Sequence, residues 1–390
     1  MADVKMNKPP QRGLSQGVER DAAAGWPVRL SPLMFFVVLC VTGLGIAYLL
    51  PPKGVAKICG PSTYWAALVS CILVAPLVFI ADALRKRFPD HNILAAAKET
   101  FGNIPGAAFN LLYLSLLIGQ AMVIIRDTAE LASTYLLDTT PNWAVTALLL
   151  LCAGYMARYG LAGISRLAGF VFVPTLLFRI VLQLLAFQGL KASHLLPLFG
   201  ARPLAYLNGG FSLTTSFGPM LVGLLFIYPL LAKPPQLKGL TLSLIGFQTV
   251  ILFLTVLIVI GVFGAVNVQS YIWPVFEADR RIDIPLLAFN QVGLLFLIVW
   301  LTMFLIGFAF YLYLFASSLH LQFPRVQYLW LLVGVTAVIQ AGATLIPNLF
   351  VDLWILRLIR QNALYMIYGY PVLILLTALL RGKGDKRHAV

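Results

Sequence analysis

Two short runs in this chain combine residue types suited to holding a small charged solute away from water. Thr42-Gly43-Leu44-Gly45 interrupts the first hydrophobic stretch, and Ser216-Phe217-Gly218-Pro219 interrupts the sixth. Unwinding a helix in lipid frees backbone amides and carbonyls, which is tolerated only where protein or a polar cavity meets them. Freed amides at a half-helix N-terminus attract a carboxylate, and freed carbonyls attract a cation or an ammonium. An amino acid carries both groups. Thr42, Thr214, Thr215 and Ser216 add hydroxyls, whose other use is back-bonding to the preceding turn. Glycine at 43, 45 and 218 either lets backbone approach a ligand or serves close helix packing.

Charged residues within apolar runs form the second group. Arg179 falls near the middle of a hydrophobic segment, with no Asp or Glu expected at its depth. Its counter-charge is a broken-helix carbonyl, a distant carboxylate or the ligand, so it either braces a broken helix or couples to a ligand or ion. Arg126 and Glu130 lie four apart on one helix face. They form either an interfacial ion pair or part of a vestibule or gate. No acid or histidine is expected at the midplane, which disfavours a strong proton pump. No Walker A, HExxH or GxSxG pattern occurs, so no enzyme and no cofactor are expected. Cys40, Cys59, Cys71 and Cys152 show no metal-ligand spacing.

The elements that must position these residues are membrane helices. Of 390 residues, 60% are hydrophobic and 11% charged. A soluble domain cannot hide that much apolar surface. A span needs roughly 20 apolar residues, and the chain supplies ten such runs. They are 33–56 (broken), 63–84, 104–136, 142–158, 164–187, 204–232 (broken), 238–265, 286–319, 326–346 and 352–380. Four segments separate the two breaks and four follow the second, giving two units of five. Gly/Pro-interrupted segments at matching positions of two halves point to a midplane binding site.

The expected architecture is an all-α integral membrane protein with ten transmembrane helices in a 5+5 arrangement. Residues 1–30 form a polar tail, 31–382 one membrane domain with repeats 31–187 and 204–380, and 383–390 a second tail. The net charge of +14 fits basic cytoplasmic loops rather than nucleic-acid binding, because the basic residues alternate from loop to loop. Both termini are then cytoplasmic. Residues 85–103 are expected to carry a surface helix, and 266–285 a short amphipathic helix suited to an outer lid.

Several motifs recur in a fixed order: Gly43-Leu44-Gly45 with Leu49-Leu50-Pro51, Arg126-x-x-Ala129-Glu130, Tyr159-Gly160-Leu161 leading to Ser165-Arg166, His194-Leu195-Leu196-Pro197, and Ile272-Trp273-Pro274. In this order the chain resembles the spore germination permease family, the membrane B subunits of endospore nutrient receptors, within the amino acid–polyamine–organocation superfamily. The resemblance runs from about 30 to 382. It implies a LeuT-type fold with inverted repeats and a site among the first, third, sixth and eighth helices for an amino acid or similar nutrient. It also implies assembly with A-type and C-type subunits in the spore inner membrane. It further implies that a basic residue on the fifth helix, a place Arg179 occupies, can stand in for a coupling cation. Many relatives carry a Glu just after the sixth-helix break, where this chain reads Gly218-Pro219-Met220-Leu221. A nutrient receptor subunit and an amino acid or cation carrier of the same superfamily are the two leading functions, ahead of a structural scaffold.

Overall fold

Inside hydrocarbon only a helix satisfies its own backbone, and nearly all regular structure in the computed structural model is helical. The structure describes residues 29–46, 51–282, 292–362 and 365–384. The helices are α1 (Pro32–Ile46), α2 (Pro51–Cys59), α3 (Trp65–Val74), α4 (Leu77–Arg87), α5 (Ile93–Phe101), α6 (Asn103–Tyr135), α7 (Asn142–Ala157) and α8 (Gly160–Ala186). The chain continues with α9 (Pro203–Leu213), α10 (Gly218–Ile227), α11 (Leu237–Phe263), α12 (Pro274–Arg280), α13 (Val292–Gln322), α14 (Tyr328–Leu345), α15 (Leu349–Gln361) and α16 (Tyr370–Leu380).

Seven helical stretches are long and apolar enough to cross a membrane: Trp65–Arg87, Asn103–Tyr135, Gly160–Gly189, Pro203–Leu230, Pro234–Phe263, Val292–Gln322 and Tyr328–Leu345. Three shorter apolar helices, Pro32–Ile46, Asn142–Ala157 and Ile367–Leu380, accompany them. Local signals set several boundaries. Asn92 caps α5 by accepting the Ala95 amide at 2.9 Å, and Pro203 and Pro219 sit in first turns, where a missing N–H costs nothing. The α5 surface helix and the short α12 helix occur within the two loops where the sequence led us to expect them.

Helix α1 is the axis of the fold. It is buried continuously from Val37 to Ile46 and packs against α8, α10, α11 and α13. An apolar surface is equally at home in lipid, so this central position rests on close packing against its neighbours. Its closest neighbour is α13. A methyl group at Gly45 would lie 2.6 Å from the Met303 carbonyl oxygen, and one at Gly307 would lie 3.0 Å from the Thr42 Cα. Each glycine therefore lets one backbone press on the other, the usual device of helix pairs in lipid.

Two expectations are corrected here. The first helix does not open at Thr42–Gly45: α1 stays wound through Ile46, and residues 47–50, the next stretch of chain, lie outside the described residues. The Thr42 hydroxyl back-bonds to the Val38 carbonyl at 2.7 Å instead of facing a ligand. The sixth segment does not unwind at Ser216–Pro219 either. A 3-10 turn spans Thr214–Phe217, and α10 resumes at Gly218. Tightening from i→i−4 to i→i−3 bonds re-aims the carbonyls without stripping the whole turn of partners. The physical reason is common to both places. Packed glycines serve helix contact as well as helix rupture, and a tightened turn leaves fewer orphans in a dry interior.

The last expected span, 352–380, divides into the amphipathic α15, which carries Asp352, Arg357 and Arg360, and the apolar stretch Ile367–Leu380. The expected tail boundary at residue 30 also shifts. Leu30 is buried and exchanges backbone hydrogen bonds of 2.8 Å with Leu230 and Ala232, fastening the start of α1 to the end of the sixth segment. Residues 1–28 and 385–390, which hold most of both expected tails, lie outside the described residues.

Gly45→Ala forces a shift of backbone against backbone. It is expected to cost about 1–3 kcal/mol and to lower the thermal unfolding midpoint of the purified protein. Gly218→Ala, whose new methyl would meet only the Ile367 Cδ1 at 3.8 Å, leaves the midpoint near wild type. Equal midpoints for the two variants contradict the packing described.

Candidate functional site

The sequence-derived site residues gather around α1, though not as an unwound pair. Gly43 faces α10 and α11: a methyl there would lie 3.3 Å from the Met220 Cβ and 3.4 Å from the Gln248 Oε1. Gln248 donates its Nε2 to the Ser216 carbonyl at 3.3 Å, so one amide spans from α11 to the 3-10 turn. Among the described residues, the Gln248 Oε1 and the Ser216 Oγ are buried without a hydrogen-bond partner. These are acceptor positions in a dry interior, where an unmatched polar group is expensive. Thr214 and Thr215 return their hydroxyls to Phe211 and Ser212 at 2.6 and 2.8 Å. Phe217, Gly218 and Pro219 are buried in the same turn.

Another face of α1 meets a small hollow. It is lined by Leu44, Thr175, Phe178, Arg179, Phe296 and Trp300, among others, and encloses ≈ 20 Å³. That volume takes about one water. The Trp300 Nε1 is buried there with no acceptor among the described residues. The unmatched oxygens beside Gly43 and the unmatched indole N–H beside Leu44 are therefore two separate polar positions next to α1.

Arg179 explains what holds the bundle shut. Its Nη1 meets the Asp279 Oδ2 at 2.7 Å, its Nη2 reaches the Thr255 Oγ1 at 3.4 Å, and its guanidinium lies 5.3 Å from the Phe296 ring centre. Gln183 joins through Thr255 at 3.1 Å. Of the three counter-charges open at the sequence level, the distant carboxylate is the one present. It comes from α12, the short helix between α11 and α13. Burial pushes the Asp279 carboxyl above its ordinary range, and the Arg179 charge pulls it back, so the ion pair rests on close contact.

A second set of contacts seats α12 on α6. The Trp273 Nε1 donates to the Asp127 Oδ1 at 3.2 Å, the Tyr135 hydroxyl donates to the Glu277 Oε1 at 2.6 Å, and the Tyr135 ring packs on Phe276 at 4.4 Å. Arg126 and Glu130 do form an ion pair, and Glu130 also accepts from the Asn142 Nδ2 at 2.7 Å, tying α6 to α7. These two stand with the α12 contacts rather than with the α1 cluster.

Four buried polar or aromatic residues escaped the sequence reading. Gln248 had a visible signal, being the only amide in the uncharged run 240–263. Asp352 had one too, as the only acid between Asp283 and Asp385. Trp300 had none beyond its type. Asp279 lies in the short helix α12, and its path to Arg179 depends on tertiary folding. Among the described residues, no group of three or more His, Cys, Asp or Glu side chains is placed to hold a metal ion.

Comparison with known proteins places this geometry. A family model described as spore germination protein matches residues 29–346. Spore germination protein YndE of Bacillus subtilis (strain 168) is 23% identical over 84% of this chain and 89% of its own length. Spore germination protein A2 of the same strain is 22% identical over 76% of the chain and 81% of its own length. Among solved structures, MhsT in complex with L-phenylalanine aligns at TM-score 0.64 and 15% identity, covering 93% of this chain and 90% of that one. A substrate-bound, outward-open Na+-coupled sialic acid symporter aligns at TM-score 0.61 and 11% identity, covering 92% and 80%. The fold is that of these transporters, and the chain is a multi-pass membrane protein.

Arg179→Ala strands the Asp279 carboxylate in a buried site and is expected to cost about 3–5 kcal/mol. The double variant Arg179→Met/Asp279→Leu removes both charges and recovers most of that loss in a thermal unfolding assay. No recovery in the double variant means that the pair is not the clamp described.

Proposed function

The chain belongs to the spore germination protein family, and from that premise we propose that it is the membrane subunit of a nutrient receptor that triggers germination. A small zwitterionic nutrient, an amino acid or a compound like it, binds beside α1, between the 3-10 turn at Thr214–Phe217 and Gln248. The observation that carries this reading is two buried, unpartnered oxygens, the Ser216 Oγ and the Gln248 Oε1, on residues already joined by the Gln248 Nε2 bond to the Ser216 carbonyl, with Gly43 beside Gln248. An ammonium group is a donor to such oxygens. The transporter fold supports the same location, because such folds place solutes between their first and sixth helices near the midplane. The seven long and three short apolar helices fit ten spans in two inverted repeats of five.

Binding requires the bundle to loosen, since the hollow beside α1 takes only about one water. The helix α12 forms the outer lid, clamped by the Arg179–Asp279 pair and by Trp273 and Tyr135. A nutrient that binds the loosened state more tightly than the clamped one shifts the population toward it. The signal is then passed to A-type and C-type partner subunits in the spore inner membrane, with both termini cytoplasmic. The competing reading is a secondary carrier of an amino acid or cation, favoured by the symporter likeness of the fold.

A thermal-shift panel of amino acids on the purified chain tests binding. At least one amino acid is expected to raise the midpoint, and Gln248→Leu abolishes that rise while leaving the ligand-free midpoint within a few degrees of wild type. An unchanged response in Gln248→Leu contradicts the site. Counterflow of the labelled ligand in proteoliposomes separates receptor from carrier: the receptor reading expects none, and robust saturable uptake overturns it in favour of the carrier.

A further inference from the structure

Helix α15 buries a carboxylate that the proposed nutrient site does not use. Asp352 is 0% exposed, and among the described residues neither of its oxygens has a hydrogen-bond donor. A buried charge without a partner is costly enough that the group sheds the charge instead. The surroundings sharpen the point. The helix α15 packs against α6 and α9. From α6, Asp127, Arg126 and Glu130 act on Asp352. Arg126 is committed to Glu130. Asp127 accepts from the Trp273 Nε1 and so is held as an acceptor. The helix α9 contributes no charged residue; its titratable residue Tyr206 donates to the Ser62 hydroxyl at 2.7 Å. On α15 itself, Arg357 is exposed. From α12, which meets this cluster through Trp273 and Asp127, Glu277 is bonded to Tyr135, and Asp279 is bonded to Arg179.

We propose that Asp352 is a proton-binding residue linked to the seating of α12: it holds a proton while α12 rests on α6 and releases it when that contact opens to water. Asp127 is the physical link, because it faces Asp352 on one side and holds Trp273 on the other. An ionised Asp352 in the closed bundle sets two carboxylates against each other at the place where the lid is fastened. This inference uses the reading of α12 as a lid and says how that lid is regulated.

The direction of the pH effect follows from linkage. Burial first, then Asp127 and Glu130, push the Asp352 carboxyl up to about 8 in the closed bundle, with Arg126 opposing. Opened to water it returns toward the ordinary carboxylate range near 4. The closed state therefore binds the proton more tightly. Its advantage is greatest in acid, is lost progressively as pH rises toward about 8, and changes no further above that.

Amide hydrogen exchange of residues 275–280 in the full chain, held in lipid nanodiscs and corrected for the chemical exchange rate, reads lid opening without any ligand. Protection is expected to fall at least about tenfold between pH 6 and pH 8. In Asp352→Asn the fall disappears and protection stays at its pH 6 level; in Asp352→Glu the pH dependence returns. A wild-type lid whose protection is independent of pH, or an unchanged fall in Asp352→Asn, overturns the proposal. If residues 275–280 show no protection at pH 6, the lid reading itself fails. A failure of nutrient binding leaves this readout untouched, so the outcomes are separable.

Discussion

Inside a bilayer a polar atom without a partner costs several kcal/mol, and this constraint governs the molecule from end to end. It makes the chain helical and makes a buried charge costly unless it finds a mate. Arg179 finds Asp279 a hundred residues away. Asp82 gathers Arg85, Lys86 and Lys238. Asn110 meets the Tyr370 hydroxyl. Against this background of matched groups, Ser216, Gln248, Trp300 and Asp352 are among the described residues with an unmatched buried polar atom, as are Asn92, Ser318, Gln322 and Gln340.

Two layers of structure follow. Near the axis, the 3-10 turn and α11 hold two unmatched buried oxygens, the Ser216 Oγ and the Gln248 Oε1. Farther out, α12 lies over α6 and α8 and is fastened by one buried ion pair, two side-chain hydrogen bonds and an aromatic contact. The two layers share α8: Arg179 lines the hollow beside Leu44 and Trp300 and also grips the lid. The hollow and α12 thus share one side chain, that of Arg179.

Much of this was legible in the sequence. Composition gave the membrane, periodic apolar runs gave nearly all the helices, and a lone Arg in an apolar segment marked Arg179 as a charge needing a mate. Glycine in the two Gly-containing runs does not say whether a backbone breaks or packs. Gly45 packs against the Met303 carbonyl, and Thr42 back-bonds, so α1 stays wound there. Which acid answers Arg179 was invisible, since Asp279 reaches it only through the folding of α12. Asp352 opens the expected span 352–380, and nothing in its neighbours marks it as buried. Its burial arises because α15 is a separate amphipathic helix whose polar residue turns toward α6.

The central claim is that a nutrient sits beside α1. A photoreactive, diazirine-bearing amino acid crosslinked to the purified chain and mapped by mass spectrometry tests it most directly. The account predicts adducts within 42–45, 214–218 and 248, suppressed by excess unlabelled ligand. Competable adducts confined to the apolar groove between Phe109–Leu116 and Leu358–Leu373, with none beside α1, would contradict it.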